Sequence, residues 1–224
     1  MFFSFDGIDG VGKTTQMQLF CQWLADECHE GAQGEGRGEG RGGGREVVTC
    51  RDPGSTPLGE RVREILLTSD ENTPIAARSE MLLYMAARAQ LVDQIIRPAL
   101  STGKIVVSDR YLLANVVYQG YAGGLDVSSL RDVGRVATAG LMPDCTFLLD
   151  MSPALALDRM GDQLDRVESR GNEYREQLRQ GFLQEAALLG DDVHVIAADR
   201  PINEIQAELR DIAQRAIGLA SDRK

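Results

Sequence analysis

Gly7-Ile8-Asp9-Gly10-Val11-Gly12-Lys13-Thr14 is the stretch on which the reading of this chain turns. It fits the pattern G-x-x-x-x-G-K-[ST], in which glycines let successive backbone N–H groups turn toward one centre and form an anion nest. The pattern carries that meaning only between a strand and a helix. Upstream, Phe2 to Asp6 reads as a short, mostly apolar buried strand. Downstream, Met17, Leu19, Phe20, Trp23 and Leu24 recur with helical spacing over Thr14 to Cys28. The helix N-terminus adds a partial positive charge to the nest. Lys13 is then placed to reach the β- and γ-phosphates of a nucleoside triphosphate such as ATP, and the Thr14 hydroxyl to ligate Mg²⁺. The stretch from Gly7 to Thr14, extended to Thr15, is the candidate ATP-binding loop.

Further strands alternate with helices. Val47 to Arg51, Lys104 to Ser108, Thr146 to Asp150 and Val193 to Ala197 read as strands two to five. Helices are expected over Leu58 to Thr68, Leu113 to Gly120, Ser128 to Ala139 and Ile202 to Leu219. A longer one is expected to start with Pro74 in its first turn and reach about Ser101, with Pro98 bending or ending it. Two more flank a loop from Met160 to Gly171. Strand–helix alternation implies βαβ crossovers, and so an α/β fold: a five-stranded parallel sheet covered by helices on both faces, in the manner of P-loop nucleotide-binding proteins. Ligands of such sheets bind beyond the carboxyl ends of the strands.

The 224 residues suit a single domain, with 43% hydrophobic and 26% charged residues. Gly31 to Arg45, GAQGEGRGEGRGGGR, is about half glycine with Glu and Arg between, and is expected to be a flexible insertion. No apolar run approaches the roughly 20 residues of a membrane span. Met1 leads directly into Phe2-Phe3-Ser4-Phe5 without a basic stretch or a small-residue cleavage site, so a cytoplasmic location is expected. A net charge of −10 with no basic stripe argues against a nucleic-acid partner. Cys21, Cys28, Cys50 and Cys145 lack metal-ligand spacing and read as reduced thiols.

The phosphate loop alone does not separate kinases from GTPases or motor ATPases. A guanine-reading Asn-Lys-x-Asp segment is missing, since no Asn-Lys pair occurs in the chain. Three further segments sharpen the reading: Arg51-Asp52-Pro53-Gly54-Ser55-Thr56-Pro57-Leu58-Gly59-Glu60, then Leu82-Leu83-Tyr84-Met85-Ala86-Ala87-Arg88, then Asp109-Arg110-Tyr111 with Asn115 and Tyr118. Together with Asp9 in the loop, they resemble the thymidylate kinase family over nearly the whole chain apart from the Gly-rich tract.

The resemblance implies ATP-dependent phosphorylation of dTMP to dTDP by direct in-line transfer with Mg²⁺, in a homodimer. Arg51 and Arg110 follow strands two and three and are placed for forked contacts to phosphate oxygens, or for structural ion pairs. Tyr84 and Arg88 are four apart and share a helix face. The resemblance makes Tyr84 the stacking partner of thymine and Arg88 a donor to a base carbonyl; core packing is the plain alternative. It also sets Asn115 at the base and Tyr118 beneath the sugar, where a 2′-hydroxyl would not fit. Asp9 would receive the 3′-hydroxyl or position the phosphates. Asp109 is assigned to the Mg²⁺ shell with Thr14 and to orienting Arg110, against a purely structural Asp–Arg pair.

Some positions depart from the family. Gly10 stands where some members carry a loop arginine, so the arginine that faces the transferred phosphoryl group is expected from a lid at about 159–171. Losing such a group costs about 10³–10⁵ in rate, roughly 4–7 kcal/mol. The lid is shorter and arginine-poor, leaving Arg159, Arg166 and Arg170. Arg159 resembles the residue that stacks on adenine, and Arg166 is assigned to the reacting phosphates. Asp52 replaces a common Glu and Ser55 a common Gly. Two other readings stay open: a different nucleotide or deoxynucleoside kinase, and a nucleotide-binding regulatory protein without turnover.

Overall fold

The computed structural model describes residues 1–30, 46–68, 74–160 and 171–222. The Gly-rich tract at 31–45 and the lid residues 161–170, with Arg166 and Arg170, lie outside them. Five parallel strands form one sheet: β1 (Phe2–Asp6), β2 (Val47–Arg51), β3 (Ile105–Asp109), β4 (Cys145–Asp150) and β5 (Val193–Ala197), in the order β2-β3-β1-β4-β5. β1 lies between β3 and β4, with Phe3 opposite Val107 and Cys145. All five of its side chains are buried, the reason it reads as an unbroken run rather than an alternating one. Its only mid-strand polar residue, Ser4, shares a hydrogen bond of 2.9 Å with Thr146.

Successive residues point to opposite faces. Phe3 and Phe5 pack with Phe147 and with Phe20 of α1 (Lys13–Glu30). Phe2 turns the other way, onto Tyr111, and joins Met81, Met85 and Val106 in a second core. Helix α2 (Pro57–Leu67) is capped by the Thr56 side chain, which accepts from Gly59 N, with Pro57 in the first turn where its missing N–H costs nothing.

Two helices contain π turns that the sequence does not announce. The long helix starts at Ala77, not at Pro74, because extended Ala76 supplies the first carbonyl, which accepts from Glu80 N at 2.9 Å. It runs as α3 (Ala77–Leu91), widens into a π turn over Val92–Ile96 and continues as α4 (Arg97–Ser101). The wide turn stands just before Pro98, where the ring would otherwise meet the carbonyl four residues back. The helix therefore bends its ladder rather than ending. The other π turn, Val116–Tyr121, follows α5 (Leu112–Asn115). The remaining helices are α6 (Val127–Thr138), α7 (Pro153–Met160), α8 (Asn172–Leu189) and α9 (Ile202–Asp222).

Candidate active site

The loop between β1 and α1 is seated by close backbone packing. Gly7 has φ +136°, and a Cβ there would lie 2.4 Å from the Leu149 carbonyl oxygen. Gly10 has φ +85°, and its Cβ would lie 2.2 Å from the Ala156 oxygen and 2.8 Å from Met160 Cγ. Any side chain at either position would push β4 or α7 away from the loop. Gly10 therefore brings the base of the lid helix onto the loop itself.

Lys13 is buried and folds back on this loop, donating to Gly7 O at 3.1 Å and Ile8 O at 2.8 Å, with Asp9 Oδ1 at 3.5 Å. Burial, aided by the Arg110 charge, brings its pKa down to about 8. Arg110 directly follows β3 in the left-handed conformation, φ 66°, which turns its side chain across the sheet end toward the loop. It donates to Gly7 O at 3.0 Å, to Asp9, and to Tyr118 OH at 3.1 Å, while Tyr118 donates to Asp9 Oδ2 at 2.9 Å. Burial alone would raise the Asp9 pKa. The Arg110 and Lys13 charges and the Tyr118 hydrogen bond outweigh it and hold the carboxylate well below its usual range.

Two carboxylates nearby are less well served. Asp6, the last residue of β1, is fully buried, and neither carboxylate oxygen has a hydrogen-bond partner. Burial pushes its pKa up to about 7, against the pull of Arg110 and Lys13. Asp109 ends β3 with its Oδ1 buried and unpartnered.

A cavity of about 730 Å³ opens over the loop, lined by Asp9, Gly10, Val11, Gly12, Lys13, Thr14, Thr15, Arg51, Asp109, Arg110 and Arg159. Gly7 and Ile8 contribute the carbonyls that hold Lys13. Arg159, at the end of α7, donates to Ala198 O at 3.2 Å. A narrower cavity of about 160 Å³ adjoins it, lined by Tyr84, Arg88, Asn115, Tyr118 and Gln119. Asp9, Asp52, Arg63 and Arg110 belong to both walls. Every assigned site residue among the described residues is thus gathered at one end of the sheet. Arg166 lies outside the described residues.

The two arginines of the acceptor side differ. Arg51 is half-exposed and clasped by Glu60, at 3.0 and 2.8 Å, while Glu60 also accepts from Ser55 N at 2.6 Å. Arg88 is buried. It donates to Asp52 at 2.6 Å, to Asn115 Oδ1 at 2.9 Å, to the Met85 sulfur at 3.1 Å and to Tyr111 O at 3.4 Å. Sequence reasoning did not single out Asp6, Glu60, Arg63 or Gln119. Gln119 adjoins Tyr118, and Glu60 and Arg63 lie on the helix that follows Arg51, but only the fold reveals what each faces.

The donor set fits a divalent cation held mostly by a nucleotide: exposed Thr14 carries a hydroxyl and Asp109 a carboxylate, and both residues line the larger cavity. Among the described residues no cluster of three acidic, His or Cys side chains could hold such an ion alone.

Comparison with known proteins bears on this site. The sequence profile of the thymidylate kinase family matches residues 40–209. The thymidylate kinase of Rhodopirellula baltica is 41% identical over 200 residues, which cover 89% of this chain and 74% of that protein. That of Symbiobacterium thermophilum is 37% identical, covering 97% of this chain and 94% of the relative. The crystal structure of thymidylate kinase from Ehrlichia chaffeensis superposes with a TM-score of 0.73 at 29% identity, covering 95% of this chain and 98% of that one. A phosphate loop facing an arginine-, tyrosine- and amide-lined pocket, on a chain so related over nearly its full length, has one family consequence: this chain belongs to the thymidylate kinase family.

Proposed function

We infer that the protein transfers the γ-phosphoryl group of ATP to dTMP, yielding ADP and dTDP for dTTP synthesis. The observation that carries this is the meeting of two cavities at Asp9 and Arg110. One is a cationic cradle fit for a polyphosphate, the other a pocket fit for a flat base and its sugar. An acceptor phosphate at the junction lies between Arg51 and Arg110, in line with a triphosphate over Lys13. An oxygen of the dTMP phosphate attacks the γ-phosphorus, and the bond to the β-bridging oxygen breaks and releases ADP. The work of the protein is positioning and charge stabilisation. Lys13 swings from the loop carbonyls to the β- and γ-oxygens. Arg110, braced by Asp9 and Tyr118, holds the acceptor phosphate and the moving phosphoryl group.

In this reading Tyr84 stacks on thymine, Arg88 and Asn115 face its polar edge, Tyr118 excludes a 2′-hydroxyl, and Arg159 lies against adenine. Arg166 is proposed for the transferred group. Thr14 and Asp109 would hold Mg²⁺, directly or through water; when bound, the ion neutralises charge between the β- and γ-phosphates. We also propose a homodimer in the cytoplasm. Exposed Leu82 on α3 and Val136 on α6 supply apolar surface for self-association, and sedimentation velocity tests it.

The decisive experiment supplies ATP, Mg²⁺ and a panel of nucleoside monophosphates and measures ADP. dTMP is expected to be the best acceptor, with some use of dUMP, because one methyl group is worth only about 1–3 kcal/mol. Turnover of UMP or dCMP without dTMP would indicate a different nucleotide kinase. Binding of ATP and dTMP without turnover would indicate a regulatory protein.

A further inference from the structure

A buried chain of hydrogen bonds runs behind the narrow cavity. Arg88 Nη1 donates to Asn115 Oδ1 at 2.9 Å, Asn115 Nδ2 to Gln119 Oε1 at 2.6 Å, and Gln119 Nε2 to Glu80 Oε1 at 3.0 Å. All four side chains are buried. A carboxamide is ambiguous on its own, since its two ends look alike and either can turn toward a neighbour. Here the ends of the chain remove the ambiguity. A guanidinium only donates and a carboxylate only accepts. One orientation of both amides satisfies all three bonds; turning either sets donor against donor or acceptor against acceptor.

We propose that Glu80 is a positioning residue of the base pocket, fixing through Gln119 the orientation in which Asn115 presents its oxygen beside the Arg88 donors. The inference rests on reading that cavity as the base site. A donor next to an acceptor matches a pyrimidine edge carrying a 4-oxo group beside N3–H. A 4-amino group beside a bare N3 meets the opposite order at both places. The shape of the cavity does not make this distinction, because the two edges differ little in size.

Asn115→Asp tests the relay. The carboxylate it introduces still accepts from Arg88 but turns a second acceptor toward Gln119. Gln119 can turn to donate only by presenting its oxygen to the Glu80 carboxylate. Glu80→Gln removes that conflict, because a carboxamide at 80 can donate. Glu80→Gln alone should cost about threefold in kcat/KM for dTMP, through KM. Asn115→Asp should cost about 100-fold. The double variant should exceed Asn115→Asp by about tenfold, with dCMP still a poor substrate. The same substitution at 80 is thus harmful alone and helpful in the Asn115→Asp background.

Because removing a negative charge near the introduced carboxylate would also help, the cycle is repeated with Gln119→Met, which breaks the relay and leaves the charges in place. The benefit must vanish there. A benefit that persists, or none with Gln119 present, overturns the proposal, and so does a double variant that uses dCMP as well as dTMP. Melting temperatures of the ligand-free variants should show the same reversal of sign. If Asn115→Asp does not fold, Glu80→Gln must restore a cooperative transition, and failure to do so also overturns it. A wild-type protein that ignores dTMP would remove the functional reading, while the melting cycle would still judge the relay.

Discussion

The phosphate cradle and the base pocket share a wall and follow opposite strategies. In the cradle, charge is left unsatisfied: both Asp6 oxygens and one Asp109 oxygen are buried without hydrogen-bond partners, and Lys13 rests on loop carbonyls. In the base pocket most donors and acceptors are matched, with Arg88 alone making four contacts to Asp52, Asn115, Met85 and Tyr111, and Asp52 Oδ1 left over without a partner. In the proposed reaction the first region is completed by a charged polyphosphate, so its groups must be able to let go. In the same proposal the second discriminates between similar bases, so its groups must not move. Unpaired buried charge costs stability, and preorganised polar groups confer selectivity. The molecule keeps the two apart within one site.

The contrast can be broken most sharply at Lys13. Lys13→Met should lower kcat by about 10³ or more while leaving the melting temperature equal or higher, because the change removes a buried cation. Steady-state rates and calorimetry on one preparation check both halves. Asp52→Ala should do the reverse. It strands Arg88 in the interior and should cost about 3–5 kcal/mol of stability, a fall of about 6–20 °C in melting temperature.

Two pH experiments sharpen the comparison. With the Lys13 pKa lowered to about 8, the ammonium that meets the triphosphate is lost early. In the free enzyme kcat/KM for ATP should therefore fall as pH rises through about 8, approaching tenfold per unit beyond it. The smallest effect belongs to Asp6. Its folded pKa, about 7, lies above its unfolded value, so the folded state binds the extra proton between about pH 4 and pH 7. Stability of the ligand-free protein should decline over that interval, and the penalty should be complete above it. Asp6→Asn should then raise the melting temperature at pH 8 by a few degrees, about 1–2 kcal/mol, with the gain fading toward pH 5. Equal gains at both pH values would contradict the assignment.

Legibility follows the same divide. Strands β1, β2 and β5 have the bounds read from the sequence, because apolar runs ended by polar residues or glycine leave little choice. The π turns were not legible. They depend on one residue being accommodated, before Pro98 in one helix and after Asn115 in the other, with the surrounding core deciding where. Tyr84 and Arg88 were recognised as one helix face, yet spacing could not show that Arg88 is anchored on Asp52, 36 positions earlier.

What the sequence determined by itself was the cradle and the alternation of strands and helices along the chain, while the order of strands in the sheet came from the fold. A phosphate loop is eight consecutive residues acting through their own backbone, and glycine positions are written in the letters. What only the tertiary structure decided was the base pocket's polarity and the unmet charge of Asp6. Asp6 lies at the end of β1, and the amide chain runs between α3 and the turn after α5; in both places a buried polar group is defined by the partners that folding brings to it or withholds.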